Sequence, residues 1–234
     1  SEDPNYLNGY LLFGIVSAVQ VFLSDLKKGN LLISMMEMFF YIYASILTGS
    51  RGGLISMIVA VISITFFEIL DKKNTKKKRI LLSIIIIMII LYIVGGMIPP
   101  ELVNRFYWND IIASKGTGRL VIWEESVKIF SESNLFHKIF GYGAGSILTI
   151  FENHNFKRVV AHNVFIQQLL EGGLLSFLLY GFFVVSCLLK AYKSKEWFIL
   201  SCLFGFIALS LSTSIVAYKP YWNAILFTNL INNK

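Results

Sequence analysis

Apolar positions in this chain come in long uninterrupted blocks, not in the two- or three-residue spacing of a soluble fold. Six blocks stand out: Leu7–Leu23, Leu31–Leu47, Leu54–Leu70, Ile80–Ile98, Val164–Leu189 and Trp197–Ala217. A helix rises 1.5 Å per residue, so about 20 apolar residues cross the hydrocarbon of a bilayer. Each block therefore reads as a transmembrane helix, and Tyr221–Ile231 is a shorter candidate for a seventh. Polar residues collect in short turns between the blocks, with one exception. After Pro99-Pro100, which stops the fourth helix, a loop of about sixty residues runs to His162. Inside that loop Leu120, Trp123, Val127 and Phe130 recur at spacings of three and four, opposite Glu124, Glu125, Lys128 and Ser131. That is the pattern of an amphipathic helix at about 119–131. The expected architecture is an all-α integral membrane bundle of six or seven helices. Residues 1–98 hold helices one to four and residues 99–162 the large loop. Residues 163–234 hold helices five and six and the short seventh.

Charge sets the orientation. The turns at 25–30, 71–79 and 190–196 carry two, six and three Lys or Arg, whereas the turns around Arg51 and Lys219 carry one each. Basic residues are retained in the cytoplasm, so Arg51, Lys219 and the long loop are expected on the outer face, with Lys76 inside and Lys115 outside. The formal net charge of +7 is thus a topology signal and not a nucleic-acid footprint. A composition that is 56% hydrophobic agrees. Cys187 and Cys202 lie in apolar segments and read as small apolar residues. Glu37, inside the second block, is expected to pack against a polar neighbour in the bundle. The chain opens on Ser1 beside an apolar block and reads as a piece of a longer protein.

The polar side chains that break the pattern carry the candidate chemistry. His162-Asn163 stands where the fifth block meets water, and at about 100° per residue Asn163, Gln167 and Glu171 share one helical face below it. Arg51, after the N-cap residue Ser50, opens the third block. Arg119, after Thr117-Gly118, opens the amphipathic helix. Helix starts favour anions, and guanidinium groups pair with phosphate oxygens through two bonds. Two arginines and a histidine on the outer side therefore suggest a site for a phosphorylated substrate. Singly, each has a plainer explanation: Arg51 as a snorkelling side chain, the 120–130 segment as an interfacial helix, His162 as a hydrogen bonder at a helix mouth. His137 and His154 read as loop surface, and Gly141-Tyr142-Gly143-Ala144-Gly145 as tight turns. There is no Asp-x-Asp, His-Glu-x-x-His, Gly-x-Ser-x-Gly or Walker sequence. Neither a metal nor a nucleotide cofactor is expected.

Taken in order, four motifs resemble the O-antigen ligase and polysaccharide polymerase superfamily. They are Asp3-Pro4-Asn5, Ser50-Arg51-Gly52-Gly53, Gly118-Arg119 with Trp123, and His162-Asn163 with Glu171 and Gly173. The Gly141-x-Gly143 turn also fits. Each motif is short; their order and common side make the resemblance specific, and it covers nearly the whole chain. It implies transfer of a glycan from an undecaprenyl-diphosphate carrier on the outer face of the bacterial cytoplasmic membrane, without metal or nucleotide sugar. Arg51 and Arg119 would then hold the diphosphate and His162 would act on the acceptor hydroxyl, with Asn163, Glu171 and Trp123 in support. The implied partners are the carrier-linked oligosaccharide, the bilayer and a chain-length regulator protein. The leading expectation is a polymerase of lipid-linked repeat units, and the alternative a ligase to lipid A core or protein. A flippase would want polar groups spread through several spans and both leaflets. Ser176 departs from the family pattern, which often has Gly there.

Overall fold

A computed structural model describes residues 4–24, 28–70, 77–104 and 118–230. The charged turn at 71–76 and the loop segment at 105–117, including Lys76 and Lys115, lie outside the described residues, as does Asp3. Among the described residues the regular structure is entirely helical. In chain order the helices are α1 (Pro4–Ser24), α2 (Lys28–Leu47), α3 (Arg51–Leu70), α4 (Lys77–Met97), α5 (Pro100–Asn104), α6 (Arg119–Glu132), α7 (Leu135–Phe140), α8 (Ile147–Asn153), α9 (Val164–Lys193), α10 (Trp197–Ser210) and α11 (Lys219–Leu230). Among the described residues four segments are long and apolar enough to cross a membrane: Pro4–Ser24, Gly29–Leu47, Arg51–Leu70 and Val164–Lys193. Leu81–Met97 and Trp197–Ser210 are apolar but shorter.

The chain forms two compact units. The first comprises Ser1–Arg105, Leu188–Leu209 and Tyr218–Lys234, the second Phe106–Cys187 and Ser210–Ala217. In the first, α1 is the central helix. Half of its span is buried, and Leu12, Ile15, Val16 and Val19 are sealed completely. Met38 of α2, Ala60 and Ile64 of α3 and Phe206 of α10 are sealed with them. Glu37 departs from expectation: it lies on an exposed face of α2, beside Ile33, Met36 and Phe40. Cys187 and Cys202 are both buried.

The second unit has its own core, built from Ile129, Ile147, Ile150, Phe151, Ala161 and Leu170. The amphipathic helix packs into it partly by the line its hydropathy predicts, through Phe130, and partly by another. Ser126, Ile129 and Ser133 are buried, with Ile122 beside them, while Leu120 and Val127 remain 49% and 57% exposed. The reason lies in the two serines. Each returns its hydroxyl to a carbonyl of its own helix, Ser126 to Ile122 and Ser133 to Ile129, both at 2.7 Å. A satisfied hydroxyl can be buried at little cost, so a line that reads as half polar is packed as well.

Two further departures shape the site. The fifth block is not one continuous helix: α9 breaks at Gly173, which has φ 67° and ψ −169°. A nine-residue piece from Val164 to Gly172 precedes the break and a membrane-length piece follows it. The sixth block ends early. α10 stops at Ser210, and residues 211–217 are turns, not helix. The segment Ser210-Leu211-Ser212-Thr213-Ser214 is rich in hydroxyls that compete for backbone groups, and Ile215-Val216 adds β-branched residues.

Candidate functional site

The mouth of α9 is fixed residue by residue. Asn163 is the N-cap: its Oδ1 accepts from the backbone N–H of Phe165 at 2.9 Å and of Ile166 at 3.2 Å. Its Nδ2 donates to the Leu211 carbonyl at 3.4 Å, in the turns that follow α10. Asn163 is 6% exposed, so a buried amide spends its polar atoms on the helix start. On the other side of His162, Ala161 is 1% exposed, and its carbonyl accepts from the indole Nε1 of Trp123 at 3.0 Å. His162 stands between these two pinned residues, half-buried, with φ 48°. A side chain other than glycine in the left-handed region costs about 1 kcal/mol or more and persists where its surroundings impose it.

The break below the mouth is closed by backbone from a distant loop. A helix leaves its last carbonyls without intrahelical partners. Here the carbonyls of Leu170 and Glu171 accept from the N–H groups of Tyr142 at 3.0 Å and Gly143 at 2.9 Å. Two glycines make the approach possible. Gly141 (φ 75°, ψ −170°) and Gly173 (φ 67°, ψ −169°) occupy a conformation essentially restricted to glycine. A Cβ on Gly141 would lie 2.3 Å from the Glu171 carbonyl oxygen, and one on Gly173 would lie 2.3 Å from that of Ile139. The turns expected at 141–145 are present, with positive φ at all three glycines; their contribution is to cap a broken helix. His137, expected at the loop surface, supports them. Its ring stacks on Tyr142 at 4.1 Å, and its Nδ1 donates to the Gly141 carbonyl at 3.0 Å. The Tyr142 hydroxyl in turn bonds Ser133 at 2.7 Å, which ties the cap to the end of α6. Tyr142, Ser133 and His137 carried no role in the sequence reading; the Gly141-x-Gly143 pair was the signal available.

The polar residues of the α9 face serve the same joint. Glu171 accepts from the Gln167 amide at 3.1 Å and, at 3.4 Å, from the Ile147 N–H that opens α8. A carboxylate at a helix start is favoured by the partial positive charge there. Ser176, the departure from the family pattern, donates to Gln168 Oε1 at 2.6 Å and bridges the break from the far side. His154 is exposed and bonds the Ile150 carbonyl of its own helix at 2.8 Å.

Arg119 opens α6 behind Gly118, which is left-handed and supplies no side-chain cap. It lies one turn before Trp123 and so on the same face of α6. His162, Asn163, Glu171, Trp123 and Arg119 all belong to the second unit.

Arg51 belongs to the first unit and has a mount of its own. Ser50 caps α3, its hydroxyl accepting from Gly53 N–H at 3.0 Å and donating to Asn5 Oδ1. Asn8 donates to Thr48 Oγ1 at 2.7 Å and accepts from the Ser45 hydroxyl. Thr48 Oγ1 accepts from Ser50 N–H at 3.1 Å. Asn5 and Asn8 are buried, so the Pro4-Asn5 start of α1 is one wall of the turn that presents Arg51. Among the described residues no group of three His, Cys, Asp or Glu side chains is placed to hold a metal ion.

A family model described as O-antigen ligase matches residues 37–181, a stretch that includes every candidate site residue. No curated protein matches the chain.

Proposed function

The chain belongs to the O-antigen ligase family of glycan-transferring membrane proteins, and from that premise we propose that it is a metal-independent polymerase of lipid-linked repeat units. The donor would be a glycan on undecaprenyl diphosphate and the acceptor the terminal sugar of a second carrier-linked unit. The reaction would take place on the outer face of the cytoplasmic membrane. The acceptor hydroxyl attacks the anomeric carbon of the donor, the bond from that carbon to the diphosphate oxygen breaks, and the diphosphate departs with the electron pair. His162 takes the hydroxyl proton, and Arg51 and Arg119 neutralise the leaving diphosphate. Trp123, Asn163 and Glu171 act on position: they hold the backbone on either side of His162 and the helix below it. A chain-length regulator is the protein partner this activity would want.

The observation that carries the reading is the His162 backbone. A half-buried imidazole is held left-handed between two pinned neighbours at a helix mouth, so its surroundings set its backbone and aim its ring. The matched model's description, O-antigen ligase, motivates a second reading: a ligase, which would move finished glycan to lipid A core or protein. Two measurements test the proposal. In vitro elongation of purified lipid-linked repeat units by His162→Gln should fall by about 10²–10⁴ at normal protein abundance, with His154→Ala as a near-silent control. Wild-type elongation by His162→Gln would remove the catalytic role. Deletion in cells separates the two readings: short chains with units still made mean polymerase, and full-length chains stranded on carrier mean ligase.

A further inference from the structure

α7 shows an inverted surface. Of its six residues, the apolar ones are open: Leu135 is 74% exposed, Phe136 64%, Phe140 52% and Ile139 37%. His137 and Lys138, the polar ones, are half-buried, with His137 stacked on Tyr142. Phe136 and Phe140 lie side by side, ring centroids 5.2 Å apart. A water-facing helix would carry the opposite order, so something apolar covers this face.

The location says what covers it. The Ile139 carbonyl is the atom that a Cβ on Gly173 would strike at 2.3 Å, so the last turn of α7 is seated on the break in α9. At that break the membrane-length piece of α9 begins, and its open face starts at once: Leu174 is 43% exposed, Leu178 64% and Phe182 74%. That stripe is lipid-facing in a membrane-spanning helix. α7 touches its upper end through backbone, and the two apolar surfaces therefore meet at one level. We infer that α7 is an interfacial element whose Leu135, Phe136 and Phe140 side chains insert into the outer leaflet where the lipid-facing stripe of α9 emerges. Half-buried Lys138 and capping Asn134 suit the headgroup level, where amphipathic segments keep their polar atoms. The consequence is a height reference. α7 runs directly into the Gly141–Gly143 cap, so its seat in the leaflet sets the depth of the joint below His162. This inference is independent of the transfer chemistry.

The experiment uses the full chain in nanodiscs, on a Cys187→Ala, Cys202→Ala background. Bimane is attached at Phe136→Cys and, as an independent repeat, at Leu135→Cys, the most exposed position of α7. Glu152→Cys on α8 is the polar reference within the same unit. A side chain roughly 5–10 Å inside the headgroup boundary should lose about half its emission to brominated phospholipid and be shielded from aqueous iodide. The reference should respond to iodide. Equal iodide quenching at 136 and 152, with no effect of brominated lipid at 136, would overturn the insertion. Shielding from both quenchers that disappears when each disc holds one protein copy would assign the face to a second copy of the chain, and would overturn it equally.

Discussion

Two helix mouths in this protein each present a basic side chain, and they differ in what holds the helix behind it. The turn before α3 presents Arg51 on a mount of side chains, in which Asn5, Asn8, Ser45, Thr48 and Ser50 trade amide and hydroxyl hydrogen bonds. The mouth of α9 presents His162 between two side-chain bonds, from Trp123 and Asn163, on a short helix whose far end is held by backbone. Trp123 holds a carbonyl, and below it the Tyr142 and Gly143 N–H groups hold two more. A side-chain mount loses its bonds one at a time when residues change. A backbone mount depends on how closely two chain segments approach, and one added methyl group is enough to separate them.

Gly173→Ala should break the second mount outright. The new Cβ would fall 2.3 Å from the Ile139 carbonyl oxygen in a glycine-only conformation, a cost of about 3 kcal/mol or more from strain and overpacking together. The thermal midpoint and membrane abundance of the purified variant are the readouts, and unchanged values would mean that the joint relaxes freely. Next in size, Arg51→Lys and Arg119→Lys compare what the two mounts present. A point charge cannot reproduce the planar fork, so each variant should lose about tenfold in elongation rate if both hold diphosphate. Full activity in both would leave the arginines as topology signals.

Asn8→Ala tests the side-chain mount. The Ser45 and Thr48 hydroxyls lose a buried partner, which should cost about 1–3 kcal/mol. That is less than Gly173→Ala on the same thermal readout, and the reverse order would dissolve the distinction between the mounts. Smallest is Trp123→Phe, which keeps the ring packing and removes only the 3.0 Å bond to Ala161. About 1 kcal/mol of stability should be lost, and roughly fivefold in rate if the bond also positions His162. A stability loss with unchanged rate would make Trp123 a packing residue alone.

Particular elements show where sequence reading reached and where it stopped. Ser50 as an N-cap was legible because capping is local, involving Ser50 and Gly53 three residues on. The amphipathic helix was legible as a helix and, through Phe130, in part by its packed line; hydropathy discards Ser126 and Ser133 although their hydroxyls are satisfied within the helix. The cost of an unpaired carboxylate argues for Glu37 inside the bundle, yet it lies on an open face of α2. Asn163 was counted as part of a polar stripe; it is a cap, bonded at its helix start and to Leu211.

What the sequence alone determined is the membrane-spanning class of the chain and the starts of α3, α6 and α9. Long apolar blocks and short-range caps depend only on residues near one another, and their physics is additive along the chain. The break in α9 was decided by the tertiary structure. Gly172-Gly173 inside an apolar block is compatible with a straight helix until another segment supplies N–H groups for the carbonyls a break would leave unpaired. Those groups come from Tyr142 and Gly143, 28 residues before Leu170 and Glu171. Their approach requires Gly141 to meet the chain at Glu171 and Gly173 to meet it at Ile139, without a Cβ on either. That contact has no periodicity and no hydropathy. It exists only when two segments far apart in sequence are folded against each other, and it is what holds the helix that begins beside His162.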